Sequence, residues 1–259
     1  MNLTDDYILK FQCGVPILLD DICAIYPATL RQIVEVGYTT FQQYLSIILA
    51  EKPVDYKKED NDLQALIKNL TDFQYLLIFS SLDKQVNQVL KDAFYFFIHE
   101  PITISLDPAQ IIIGPIEEKH LLTEEKFYEF RQILKRMYFI EQEGEDIVIY
   151  ENDSPAVRRL KEQMRLNREK VRRAKSKQTE QDKSGLKFSD LIGSITINNC
   201  GLNMENIWNI TYYAFHDQLK RMGWRDQFNI NNQAALAGAK LKKSQLKHWM
   251  RSIASSDKS

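Results

Sequence analysis

The stretch "WNITYYAFHDQLKRMGW", residues 208–224, contains five large aromatic side chains and one histidine. Its large apolar residues recur at steps of four, three, four and three positions, namely Trp208, Tyr212, Phe215, Leu219 and Met222. This spacing is typical of one side of an amphipathic α-helix that packs on other helices. The opposite side is polar and carries Asn209, Asp217, Lys220 and Arg221. Asn203 is a suitable N-cap, and Gly223 is a suitable helix end.

The number of large aromatic anchors near this helix is high for the C-terminal part of the chain, residues 188–259. A unit of about 70 residues encloses little interior, so we expect some of this surface to face another protein. Trp and Tyr contribute much of the binding energy of protein interfaces. The predicted partner-binding residues are Trp208, Tyr212, Phe215, Leu219, Trp224 and Trp249.

Helical periodicity extends over much of the remaining chain. Residues 27–52 have apolar side chains at three- and four-residue steps, and Gly37 is a candidate break within them. Residues 61–81 and 83–100 predict two further helices, and 123–140 predict another that opens on a Thr with acidic residues behind it. The chain also has only nine Gly and seven Pro, which favours helices over an all-β fold.

Three shorter segments have β-strand character. Residues 14–27 predict a short β element, and 102–114 alternate and are β-branched around Asp107-Pro108, which indicates a hairpin. Residues 145–153 are another strand candidate. The sequence therefore predicts a mainly α protein with a small β element in the middle, an α+β fold.

Charge is distributed unevenly along the chain. Residues 1–154 carry 13 Lys/Arg and 26 Asp/Glu, whereas residues 155–187 carry 12 Lys/Arg and 4 Asp/Glu. This asymmetry predicts an acidic N-terminal domain (1–153), a basic helix and linker (154–187) and a helical C-terminal module (188–259).

The basic helix is expected to begin at Ser154 and Pro155 and to bury little surface, because its apolar residues are sparse. Its predicted basic surface comprises Arg158, Arg159, Arg165, Arg168, Arg172 and Arg173. These side chains suit phosphate neutralisation, but residues 151–187 contain no aromatic side chain for base stacking. We expect this helix to dock on an acidic surface of its own chain or of a partner, and nucleic-acid binding is an alternative.

No catalytic or ligand-binding motif was found in the sequence. It has no phosphate-binding glycine loop, no zinc-type spacing of Cys and His, and no recognisable triad. His216 and His248 are a remote option for metal binding, together with Asp217 or Asp226. We therefore expect no enzyme activity, no cofactor and no metal. The three Cys are expected to be reduced thiols, and no apolar run reaches the roughly 18 residues that would indicate a membrane span.

Two regions resemble proteins of bacteriophages and prophages of Gram-positive hosts, in particular tail assembly chaperones. They are residues 27–52 and residues 206–249, the latter with the pattern "NIWNITYYAFHDQLKRMGW…AALAGAK…LKHW". The resemblance implies helix packing and contact positions rather than an active site. These positions are Trp208, Thr211, Tyr212, Gln218, Arg221, Gly238, His248 and Trp249.

The resemblance implies a phage morphogenesis protein in the host bacterial cytoplasm. Such a chaperone binds the tape measure protein through helical grooves until the tail assembles. One alternative is a structural tail or baseplate component retained in the virion, and a second is a nucleic-acid-binding accessory protein that uses the basic helix. Other phage tail proteins are the expected partners, self-association is open, and neither nucleic acid nor a membrane is expected.

Overall fold

The computed structural model of the protein describes residues 5–51, 69–115, 120–140, 187–198, 201–240 and 248–250. Contacts group residues 1–140 with 202–259 in a first unit, and 141–201 form a second. Among the described residues, the first unit has the helices α1 (Asp5–Cys13), α2 (Leu30–Val36), α3 (Tyr38–Leu49), α4 (Asp72–Leu82), α5 (Lys84–Ile98), α6 (Glu124–Met137) and α8 (Tyr212–Leu236). In the second unit, α7 (Phe188–Asn198) buries Ile192 and Ile195.

Two small antiparallel sheets accompany these helices. The strands are β1 (Ile17–Leu19), β2 (Cys23–Ile25), β3 (Ile102–Leu106), β4 (Ala109–Ile113) and β5 (His120–Leu122). β1 pairs with β2, and the second sheet has the order β3-β4-β5. The mainly α fold with a small β element is thus confirmed, as is the hairpin around Asp107-Pro108. The strand predicted at 145–153 lies outside the described residues.

Local capping signals explain where several helices begin. Thr29 and Gln32 form a reciprocal capping box at the start of α2, and Thr71 and Gln74 form another at the start of α4. Residues 61–81 were predicted as a single helix, and this was wrong because the capping box at Thr71 starts a new one. Gly37 separates α2 from α3, as predicted, with a φ of +91° that suits glycine.

The core of the first unit is rich in aromatic side chains. α3 packs against α5, α5 packs against α4, and α4 also contacts β3. Phe94 stacks on Phe130 with ring centroids 5.2 Å apart, and Phe73 lies 4.9 Å from Phe127. These rings join α4, α5 and α6 around one apolar interior.

A buried arginine links three helices at the edge of this core. The Nη2 of Arg131 on α6 donates to the carbonyl oxygens of Leu49 and Ala50, at 2.7 and 3.2 Å. These carbonyls belong to the end of α3, where acceptors lack partners within the helix. The Nη1 of Arg131 lies 3.5 Å from a carboxylate oxygen of Asp72 at the start of α4.

The C-terminal helix differs from its prediction at both ends. It was expected to start after Asn203 and to end at Gly223, but α8 begins at Tyr212 and continues through Gly223 to Leu236. Thr211 is the N-cap, and its hydroxyl accepts the amide hydrogen of Ala214. Trp208 lies before the helix, in a 3-10 turn (Ile207–Asn209).

The grouping of the chain also differs from the three predicted parts. Residues 202–259 form one compact unit with residues 1–140. The physical reason is that the start of α8 contacts α1 and completes the hydrogen bonding of the segment before α2.

Candidate protein-interaction surface

The beginning of α8 is joined to the N-terminal part of the chain by backbone hydrogen bonds. Thr29 and Thr211 form an antiparallel bridge. In this bridge, the amide of Leu30 donates to the carbonyl of Ile210 at 3.0 Å, and the amide of Tyr212 donates to the carbonyl of Ala28 at 2.9 Å. Both threonines are N-caps, so two helices begin side by side at this bridge.

Two adjacent tyrosines pack the first turn of α8 into the unit. Tyr213 lies 5.3 Å from the ring of Phe11 on α1 and stacks at 4.6 Å on Phe139, which follows α6. Tyr212 lies 5.6 Å from both Phe41 and Tyr138. The sequence predicted that one side of the helix would be apolar, but at this turn both tyrosines contact the rest of the unit.

Asp217 was predicted on the polar side of the helix, but its side chain is buried. Its carboxylate accepts hydrogen bonds from Arg221 at 3.0 Å and from Gln12 of α1 at 3.2 Å. These two hydrogen bonds, one from a charged and one from a neutral donor, offset the cost of burying the carboxylate. The same contact ties the second turn of α8 to α1.

His216 lies beside the aromatic rings of Tyr212 and Phe139. Its ring centroid lies 4.2 Å from that of Tyr212 and 5.8 Å from that of Phe139. The Nε2 atom is buried without a hydrogen-bond partner. Burial lowers the pKa of His216 to about 4, since the charged imidazolium would lose its hydration. His216 is therefore neutral at pH 7 and acts as an apolar packing residue.

His216 and His248 are not brought together. His248 contacts Phe228, with ring centroids 5.0 Å apart, more than two helical turns beyond His216. Across the described ranges, no three His, Cys, Asp or Glu side chains are placed to hold a metal ion together. Within the same ranges, no helix combines the length and apolarity needed to span a membrane.

The six predicted partner-binding residues have different environments. Phe215 is fully buried, so its side chain offers no surface to a partner. Tyr212 is partly buried and occupied by the contacts with Phe41 and Tyr138. Partial exposure is found at Trp208, Leu219, Trp224 and Trp249.

The partly exposed aromatic residues form two groups. Before the helix, the Nε1 of Trp208 donates to the carbonyl of Met204 at 2.8 Å. On α8, the Nζ of Lys220 lies 5.6 Å from the ring centroid of Trp224. One turn further, Phe228 contacts His248, which stacks on Trp249 at 5.8 Å. We call the group of Trp224, Phe228, His248 and Trp249 the α8 aromatic surface.

The predicted basic surface cannot be placed in the fold. Arg158, Arg159, Arg165, Arg168, Arg172 and Arg173 lie outside the described residues. The docking of the basic helix and its alternative role in nucleic-acid binding therefore stay predictions from the sequence.

A second apolar surface lies on α4 and was not predicted from the sequence. Tyr75, Ile78, Phe79 and Leu82 point away from the core and are partly or largely exposed. The signal for this surface was present in residues 61–81, whose apolar residues are too many for one face.

Comparison with known families gives one match. Residues 175–254 are similar to the YomV second domain, a domain of phage type. The matched region includes α7 and α8 and spans less than half of the chain. It overlaps the region whose pattern resembles phage proteins, so the phage character of this part is supported by a second criterion. No curated protein and no solved structure matches the chain.

Proposed function

We propose that the protein is a non-enzymatic phage morphogenesis protein that acts as a tail assembly chaperone for the tape measure protein. The observation that carries this proposal is the match of residues 175–254 to a phage-type domain. The α8 aromatic surface lies within the matched residues, which gives the region a surface suited to protein contacts.

The firmly attached start of α8 supports this proposal. The Thr29–Thr211 bridge and the hydrogen bonds to Asp217 attach the first two turns of α8 to the N-terminal part of the chain. The later turns of the helix extend from this fixed start. These turns carry Trp224 and Phe228, and His248 and Trp249 pack beside Phe228 to complete the α8 aromatic surface. An amphipathic client helix that covers these groups removes apolar area from water, and this is the main driving force of such association.

Co-expression with the tape measure protein of the same phage genome tests the proposal. The wild-type chain should raise the soluble fraction of the client and elute with it in size-exclusion chromatography. A Trp224→Ala variant should lose much of this effect, because partly buried Trp residues at interfaces contribute strongly to binding. Tyr128→Ala is a matched control, since Tyr128 is an exposed aromatic residue on α6 and not on α8.

If the client's solubility is the same with and without the protein, and no complex elutes, the chaperone proposal is wrong. The phage-type match is equally compatible with a tail or baseplate component that stays in the particle. Mass spectrometry of purified virions separates the two roles. A chaperone is absent from the particles, whereas a structural component is present at a fixed copy number.

A further inference from the structure

The start of α8 is a small attachment on a larger core. Among the described residues after 201, Tyr213 alone is a buried member of the main apolar core, whose other buried members lie between Phe11 and Tyr138. In sequence, residues 141–201, which group as the second unit, separate α8 from α6. Contacts rather than a short covalent link therefore hold the start of α8 on the first unit. An element of this kind opens at a lower cost in free energy than the core itself.

The attachment comprises the 3-10 turn and the first turns of α8, residues 207–221. The turn contacts α2, and the helix contacts α1. The backbone bridge between Thr29 and Thr211 and the hydrogen bond from Gln12 to Asp217 complete it. We call residues 207–221 the α8 attachment.

His216 lies within the α8 attachment. Its ring contacts Phe139, which follows α6, and the rings of Tyr212 and Phe215. Within the described part of the chain, no group forms a hydrogen bond with its buried Nε2 atom. Protonation places a charge and an unpaired N–H donor among these rings, so it favours a state in which water reaches the imidazole. Burial accordingly lowers the pKa of His216 to about 4.

Most ionisable groups around His216 are tyrosines. Tyr212 and Tyr213 flank it on α8, and Tyr138 lies at the end of α6 beside the ring of Tyr212. Tyr38 of α3 forms a side-chain hydrogen bond with Tyr212. Phenols are uncharged in neutral and acidic solution, so these four groups do not respond to acid.

The charged groups of this region lie on α8 itself. Asp217 follows His216 in the chain, and its carboxylate accepts hydrogen bonds from Arg221 and from Gln12 of α1. Lys220 is one turn beyond His216. Lys and Arg side chains keep their charge in acid, and Gln has none. Among these groups, His216 and Asp217 are therefore the two that can take up a proton as the pH falls.

We propose that the α8 attachment is acid-labile: protonation of His216 detaches residues 207–221 from α1, α2 and the end of α6, while the core of α3 to α6 stays folded. Detachment removes the partners of the Leu30 amide and the Ala28 carbonyl. It also releases the α8 aromatic surface from its fixed start, so that acid changes how this surface is presented. The proposal concerns the fold and does not depend on the proposed function.

The linkage between protonation and detachment gives the size of the effect. The imidazole has a pKa of about 4 in the attached state and returns toward its ordinary value of 6.5 when water reaches it. The attached state is therefore fully favoured above pH 6.5 and loses that advantage as the pH falls toward 4. The ratio of detached to attached molecules should rise about 20-fold between pH 7 and pH 5.

Amide hydrogen exchange of the full-length protein, followed residue by residue by NMR, measures detachment. The amides of Leu30 and Tyr212 are the reporters, because each donates across the bridge. Leu30 is the first residue of α2, so its amide has no acceptor within that helix. The amides of Phe94 and Phe97, two fully buried residues of α5, report on the core. Dividing the intrinsic exchange rate at each pH by the observed rate gives protection factors that can be compared.

In the wild type, protection at Leu30 and Tyr212 should fall about 20-fold between pH 7 and pH 5, while protection at Phe94 and Phe97 stays constant within about twofold. His216→Phe keeps an aromatic ring without a titratable group, so its reporters should keep their protection.

Two further variants keep the test specific. His216→Gln removes the same titration with a different side chain, so a poor fit of phenylalanine does not decide the result. His120→Gln is the matched control, because His120 is an exposed histidine on β5, and it should show the same fall as the wild type.

An equal fall in the wild type and in both His216 variants would overturn the proposal. If the fall persists in those variants but disappears in Asp217→Asn, the carboxylate is the acid-sensitive group and the proposal is wrong. An equal fall at Leu30 and Phe94 would show that the whole unit opens, which also contradicts it. Hydrogen exchange needs no client protein, so failure of this test and failure of the chaperone test are distinguishable.

Discussion

The hydroxyl of Thr211 donates to the main-chain carbonyl of Phe11 at 2.7 Å while accepting the amide hydrogen of Ala214 at 3.0 Å. One side chain thereby caps α8 and attaches it to α1. Its donor and acceptor functions are both used in a buried site, where an unsatisfied polar group is costly.

Replacing Thr211 by Val removes both of these hydrogen bonds with little change in volume. We expect the free energy of unfolding to fall by about 2–3 kcal/mol, from the loss of the cap and the unpaired carbonyl of Phe11. Chemical denaturation followed by circular dichroism measures this change. Thr211→Ser keeps the hydroxyl and should retain most of the stability, so an equal loss in both variants would argue against the hydrogen bonds as the cause.

The burial of His216 predicts that the stability of the fold depends on pH. Its pKa is lowered from 6.5 to about 4 in the folded state by burial, so below pH 6.5 the unfolded chain takes up a proton that the folded chain does not. The stability due to neutral His216 is therefore complete above pH 6.5 and is lost as the pH falls toward 4. The slope from this group is at most about 1.4 kcal/mol per pH unit.

Denaturation curves of the wild type and of His216→Phe between pH 7.5 and about 5 measure this contribution. The variant keeps an aromatic ring beside Tyr212 and Phe139 but has no group to protonate. Its stability should fall less steeply with decreasing pH than that of the wild type. Parallel slopes in the two proteins would show that other groups account for the pH dependence.

Replacement of Arg131 is expected to have a large effect on stability. Arg131→Met preserves much of the side-chain length but leaves the carbonyls of Leu49 and Ala50 without their donor. We expect a loss of about 2–4 kcal/mol in the free energy of unfolding. Thermal or chemical denaturation measures it, and Arg136→Met, at a half-buried arginine of the same helix, is the matched control expected to change stability little.

Replacing each of two glycines by alanine should change the stability of the fold in opposite directions. Gly37 has a φ of +91° between α2 and α3, so Gly37→Ala strains the backbone and should destabilise the fold by about 1 kcal/mol or more. Gly223 lies inside α8 in open space, so Gly223→Ala should stabilise the fold by about 0.5–1 kcal/mol. Paired denaturation curves check both signs, and destabilisation by Gly223→Ala would contradict the uninterrupted helix.

The elements that could be predicted from the sequence are those with strong local signals. The helices around Leu30–Leu49 and Glu124–Met137 follow from their periodicity, and the break at Gly37 and the hairpin at Asp107-Pro108 follow from turn chemistry. β5 was missed because three residues are too few to establish alternation.

The errors in the C-terminal region have a different origin. Residues 203–223 satisfy a helical pattern, but the bridge to Thr29 holds Ile210 in an extended conformation and delays the helix until Tyr212. Phe215 satisfied the same pattern as Trp208, yet one is fully buried and the other partly exposed. Spacing along a helix identifies a face, whereas burial depends on contacts distant in sequence, such as the one between Tyr213 and Phe11.

The bond between Thr211 and Phe11 joins residues 200 positions apart. During synthesis, Phe11 and the edge of α2 emerge from the ribosome long before their partners exist. The N-terminal region must remain with an uncovered apolar ring and unpaired backbone groups until α8 is made. Completion of this fold is therefore a late event in translation, and ribosome stalling between residues 140 and 210 should leave a chain that chaperones of the cell bind.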